Sequence, residues 1–222
     1  MKFPNAYQGI KKIFSAEILS LIGSACMIIF AVFGIVAIAG VSTSADEAVV
    51  AGGVGAVVFG LAGGVLSLIG LIFLLIGTKR ASADEQAFGQ AFVYIIFSLI
   101  LTVASTIIST IRPAGIWDDL STTIANIFAL FATIYIINGV QKLAGKLDRP
   151  DMVTQGNTYM IMLIIVYVIQ IITRVIPVFF GSNAATSNVA GILSLAAEIF
   201  SLIVYIVYLV FLGKAKKMLK EN

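Results

Sequence analysis

Two charged residues stand where charge is costly. Arg174 lies in "QIITRVIPVFF", residues 170–180, and Glu198 lies in "AAEIFSLIVYIVYLVFLG", residues 196–213. The uncharged run from Ile199 to Gly213 holds 15 residues, roughly 22 Å of helix at ~1.5 Å per residue. A hydrocarbon core is about 30 Å thick. A helix ending near Lys214 therefore places Glu198 about 8 Å inside the far surface. A carboxylate there is expected to pair with a cation or take up a proton. Arg174, at similar depth on the preceding apolar run, is the available partner.

Other polar residues gather at that depth. Pro177 disrupts the helical bond to the carbonyl of Thr173, freeing an acceptor beside Arg174. Gln170 and Thr173 extend the patch. Ser98, Thr102, Ser105, Thr106, Ser109 and Thr110 give another run a hydroxyl-rich outer half, and Asn126 falls at comparable depth on the next. The expected intramembrane polar site is thus Arg174, Glu198, Gln170, Thr173, Ser109, Thr106 and Asn126. Three readings remain open for it. The pair is a structural pin between helices, a solute or ion site in an outward-facing vestibule, or two groups that snorkel independently.

Catalytic chemistry finds little to work with. The chain has no histidine, which removes imidazole metal ligands and histidine-based triads. Its single cysteine, Cys26, allows no intrachain disulfide. No GxSxG element, P-loop, HExxH or CxxC is present, and no second acid is required inside the membrane. A serine–lysine dyad would need a buried lysine, and the lysines flank the apolar runs. No enzyme, cofactor or metal is expected.

The elements that carry these residues follow from composition. Of 222 residues, 60% are hydrophobic and 11% charged, with mean hydropathy +1.08; a soluble domain carries about 25% charged residues. No charge occurs between Glu17 and Asp46, Glu47 and Lys79, Glu85 and Arg112, or Asp119 and Lys142. Each gap exceeds the ~20 residues a helix needs to cross a bilayer. The reading is an all-α membrane protein, one polytopic domain over 1–222. Its six spans are near 16–40, 49–77, 88–111, 121–141, 155–180 and 189–213.

Orientation follows from the basic residues. Of the 14 lysines and arginines, only Arg112 and Arg174 fall away from one side, whereas Asp46, Glu47, Asp118 and Asp119 occupy the opposite loops. The positive-inside rule places both termini in the cytoplasm, in a multi-pass protein of the cell membrane. The net charge of +3 reads as topology, and no nucleic-acid partner is expected. The leader "MKFPNAYQGIKKIFSAE" groups Phe3, Tyr7, Ile10 and Phe14 near one helical face. It reads either as a short helix in the inner headgroup region or as an ordinary basic lead-in. "GSAC" ending at Cys26 resembles a lipoprotein cleavage site, but Gly23 replaces the usual leucine and the apolar run continues to Ala39.

Two further patterns bear on assembly. Gly52, Ala56, Gly60 and Gly64 form a four-residue-spaced ridge of small side chains in the second span. In lipid such a ridge lets helices approach closely, against another span or against a second copy or another membrane protein. The even-numbered spans also share a theme: Leu68 aligns with Leu130 and Gly77 with Gly139, and Gly213 follows after a shift of two residues. Three parallel hairpins would produce it, as would any helix leaving the bilayer on its basic side. The expected function is a non-enzymatic accessory or scaffold role through helix–helix contact in the lipid bilayer. The alternative is a small-solute or ion transporter or channel-like protein built around Arg174 and Glu198.

Overall fold

A computed structural model describes the backbone of residues 2–43, 46–111, 116–180 and 184–221, and the side chains in those ranges except 39–49, 51, 109, 111–120, 171 and 173–195. The described residues form six α-helices: α1 (Pro4–Thr43), α2 (Asp46–Ala81), α3 (Gln86–Ile111), α4 (Ile116–Lys146), α5 (Pro150–Phe180) and α6 (Ala184–Glu221). All six are long and apolar enough to cross a membrane. The chain is a multi-pass helical membrane protein.

The helices overrun the expected spans mainly at their basic ends. Lysine, glutamine, glutamate and alanine are good helix formers, so a helix does not stop where its apolar run stops. The tail "KAKKMLKE" stays helical to Glu221 and buries Ala215, Met218 and Leu219, which lie three, six and seven residues beyond the buried Leu212 and so on one helical face. The leader forms the first turns of α1 rather than a separate helix, with Ala6 and Ile10 fully buried and Phe3, Tyr7 and Phe14 half-buried.

The chain separates into two compact units. One is Lys11–Gly77, the hairpin of α1 and α2; the other joins Met1–Ile10 to Thr78–Asn222 and contains α3 to α6.

In the hairpin, small residues set the helix spacing. A methyl group added at Gly52 would lie 2.6 Å from the Ala37 nitrogen and 2.8 Å from the Phe33 carbonyl. One at Gly63 would lie 3.0 Å from the Gly23 carbonyl, and one at Gly70 3.1 Å from that of Ala16. Phe33 and Phe59 stack at 5.7 Å.

The larger unit is tied by adjacent pairs, α3 with α4, α4 with α5 and α5 with α6. Tyr94 packs on Phe128, Phe131 and Tyr135 between α3 and α4. Gly139 lets the buried Phe88 ring approach α4, and Gly156 makes the same room for Gln141 against α5. Tyr159 and Tyr208 stack at 5.2 Å between α5 and α6. Many of this unit's fully buried side chains, including Phe88, Val140, Leu143, Met152, Leu212 and Leu219, sit toward its basic end.

Candidate functional site

The turn from α2 to α3, "SADE" at 82–85, organises the polar groups of the larger unit. The final turn of α2 closes with Ser82 Oγ donating to the Lys79 carbonyl at 2.6 Å. Glu85 then caps α3. Its carbonyl accepts the Phe88 N–H at 3.2 Å, and its carboxylate accepts the N–H of Ala87. Its neighbour Asp84 caps another helix. α1 begins Phe3–Pro4, and phenylalanine has no side-chain acceptor, so the free N–H groups of that terminus need a partner from elsewhere. Asp84 supplies it: Oδ2 accepts the Ala6 N–H at 2.7 Å and Oδ1 accepts Asn5 Nδ2 at 3.1 Å.

Glu85 also gathers cations. Lys146 Nζ donates to Oε2 at 2.7 Å, and Lys142 Nζ lies 3.6 Å from Oε1. The carboxylate is 8% exposed and the two lysines about half exposed. Burial pushes its pKa up. The Lys146 hydrogen bond, the charges of Lys146 and Lys142 and the Ala87 N–H outweigh that, holding it below the ordinary 4.5. Such a carboxylate is an anchored anion and a poor proton acceptor. Around it, Lys2 Nζ donates to the Lys146 carbonyl at 3.3 Å, and the Lys2 and Lys146 ammonium groups lie 6.0 and 5.9 Å from the Phe3 ring. Farther along α4, the nearly buried Gln141 donates Nε2 to the Val153 carbonyl at 3.0 Å and to Asn157 Oδ1 at 2.8 Å. These bonds tie α1, α3, α4 and α5 together at one end.

Only part of the expected polar site falls within the described residues. Arg174, Thr173, Ser109 and Pro177 have side chains outside the described residues, so the Arg174–Glu198 contact lies outside them as well. Glu198 is exposed on α6, while the adjacent Ala197 takes the inward position at 3% exposure. Asn126 and Gln170 are half-buried, and Thr106 is exposed. The hydroxyls of α3 serve helix contacts: Ser98 Oγ donates to the Ala125 carbonyl at 3.0 Å, and Ser105 Oγ meets Ser121 Oγ at 2.8 Å. Thr102, Thr106 and Thr110 donate back to carbonyls of their own helix.

Along the small-residue ridge, Gly52 abuts the α1 backbone and Gly60 meets the Phe30 ring, Ala56 is half-buried, and Gly64 faces open space. Each four-residue step advances about 40° beyond a full turn. Three such steps carry Gly64 off the seam, and Gly63, Ser67 and Gly70 replace it.

Asp84, Glu85, Asn5, Gln141 and Asn157 are the residues that sequence reading missed. One signal was available: an acidic pair, Asp84–Glu85, in a loop flanked by the basic residues Lys79 and Arg80. Among the described residues, no three histidine, cysteine, aspartate or glutamate side chains come together as a metal site would require. No protein-family model, curated protein or solved structure matches the chain.

Proposed function

We propose that this protein is a non-enzymatic accessory or scaffold of the cell membrane, with both termini in the cytoplasm, that acts through helix–helix contact. One observation carries the reading. On α2, Val54, Val57, Val58, Leu61, Val65 and Leu68 are each more than half exposed, and Gly64 lies among them with nothing within reach of an added methyl. They recur at helical spacing as one apolar stripe suited to lipid, and the small residue that breaks it gives a second transmembrane helix room to pack closely. The partner is a second copy or another membrane protein. The engagement of Glu85 and Gln141 in internal bonds supports the same reading, because groups held in clamps are not offered to a solute. The collection of Lys2, Lys142, Lys146 and Arg149 at one end of the larger unit supports the orientation.

Proteoliposomes separate this role from transport. Under the scaffold reading, vesicles containing the protein pass a panel of ions and small solutes no faster than empty vesicles. Protein-dependent flux of any of them replaces the scaffold with a transporter. In a Cys26→Ala background, Lys217→Cys should resist an impermeant thiol reagent applied to whole cells; labelling from outside reverses the assigned orientation.

A further inference from the structure

α5 and α6 enclose an open cleft of about 490 Å³ at the end of the larger unit that carries Lys214. This is within the range of about 300–1,000 Å³ usual for small-molecule sites. The cleft is graded along its length. Asp151, Thr154, Gln155 and Lys214 line one end, and Val207 and Val210 form a wall toward the other. Tyr159 and Phe211, 2% and 3% exposed, contribute from the α5–α6 contact.

Depth gives that gradient its meaning. Lys214 is the first charge after the uncharged run Ile199–Gly213, and α5 carries no charge from Met152 to Gln170. The polar end therefore lies where an apolar helix leaves hydrocarbon, at the level of lipid headgroups. Val207, seven residues deeper, lies roughly 10 Å farther along the helix axis.

The polar groups define the ligand's chemistry. Lys214 Nζ donates one of its three N–H bonds to Gln155 Oε1 at 2.9 Å, leaving two for an oxyanion. Thr154 and Thr158 donate to the Pro150 and Thr154 carbonyls, so their oxygens keep lone pairs for a hydroxyl donor. Asp151 is held by Arg149, with Nε on Oδ1 at 3.2 Å and Nη2 on Oδ2 at 3.3 Å. The charged lining residues are Asp151 and Lys214; with Asp151 engaged by Arg149, Lys214 is the lining cation left to meet a phosphodiester.

We propose that the α5–α6 cleft binds an anionic phospholipid, with its phosphate at Lys214, a headgroup hydroxyl at Thr154 and Thr158, and an acyl chain along Val207 and Val210. The site is independent of which way the chain faces and of whether it acts as a scaffold.

The test uses the full chain in neutral detergent, titrated with dioleoyl phosphatidylglycerol or dioleoyl phosphatidylcholine and read by native mass spectrometry. Phosphatidylglycerol should bind in preference. Lys214→Gln should weaken it about fivefold, the effect of one basic residue at a lipid surface, and Val210→Trp should weaken it by filling the acyl wall. Lys220→Gln, the same charge change at an exposed tail position, should not. Equal losses in Lys214→Gln and Lys220→Gln, or unchanged binding in Val210→Trp, overturn the site. Displacement of the lipid by excess inorganic phosphate would assign the cleft to a soluble phosphate and likewise overturn the lipid reading.

Discussion

The Glu85 centre makes an asymmetric prediction. Glu85→Ala removes the carboxylate and leaves two lysines that are 53% and 49% exposed. These cations return to water at little cost. The loss is then the discounted ion pair, about 1 kcal/mol for partners this exposed, plus a helix cap worth about 1 kcal/mol. We expect a destabilisation of about 2 kcal/mol. The converse variant, Lys142→Ala with Lys146→Ala, leaves a carboxylate that is 8% exposed without its cations. Stranding a largely buried carboxylate costs about 3 kcal/mol, since water admitted by the two truncations recovers part of the full penalty for a buried charge, so the two-lysine variant should be the less stable at neutral pH. The two proteins should also differ in pH dependence. In the wild type the folded pKa lies below 4.5, so the contribution of Glu85 is complete above that value and is lost as pH falls through the folded pKa. Without the lysines, burial raises the pKa opposed only by the Ala87 N–H. The deficit of the two-lysine variant relative to wild type should therefore shrink on acidification. Urea or thermal unfolding in detergent, followed by circular dichroism across the acidic range, measures both effects. A two-lysine variant more stable than Glu85→Ala, with a deficit that ignores pH, would refute the buried, cation-held carboxylate.

Three further substitutions test the packing. Gly52→Ala should destabilise the α1–α2 hairpin by about 1–3 kcal/mol because its methyl would meet backbone atoms of Ala37 and Phe33. Gly64→Ala, facing open space, should instead stabilise by about 0.5–1 kcal/mol, and thermal midpoints in detergent would rank the two. Asp84→Ala should cost about 1–2 kcal/mol through the lost cap, read as faster hydrogen exchange at Asn5, Ala6 and Tyr7 but not in α6. Gly139→Ala would set a methyl 2.7 Å from the buried Phe88 ring. It should cost about 1–3 kcal/mol, with Phe88→Leu in the same chain recovering part of the loss.

The sequence by itself determined the class of the molecule and the number of its long apolar helices. Those are local properties: transfer of an apolar segment into hydrocarbon sums over about 20 consecutive residues and needs no knowledge of neighbours. The same sum is blind to amphipathic turns such as Pro4–Phe14 and Lys214–Glu221, whose helicity depends on burying one face against other elements. Tertiary structure alone decided that Asp84 caps α1, that Glu85 meets Lys142 and Lys146, and that Gln141 reaches Asn157. Asp84 and Ala6 are separated by 78 residues along the chain, and Glu85 and Lys146 by 61. In the sequence Lys142 and Lys146 mark orientation alone, because a lysine's charge is visible there while its partner is not. Partnership is a matter of distance, and distance is set only when helices pack.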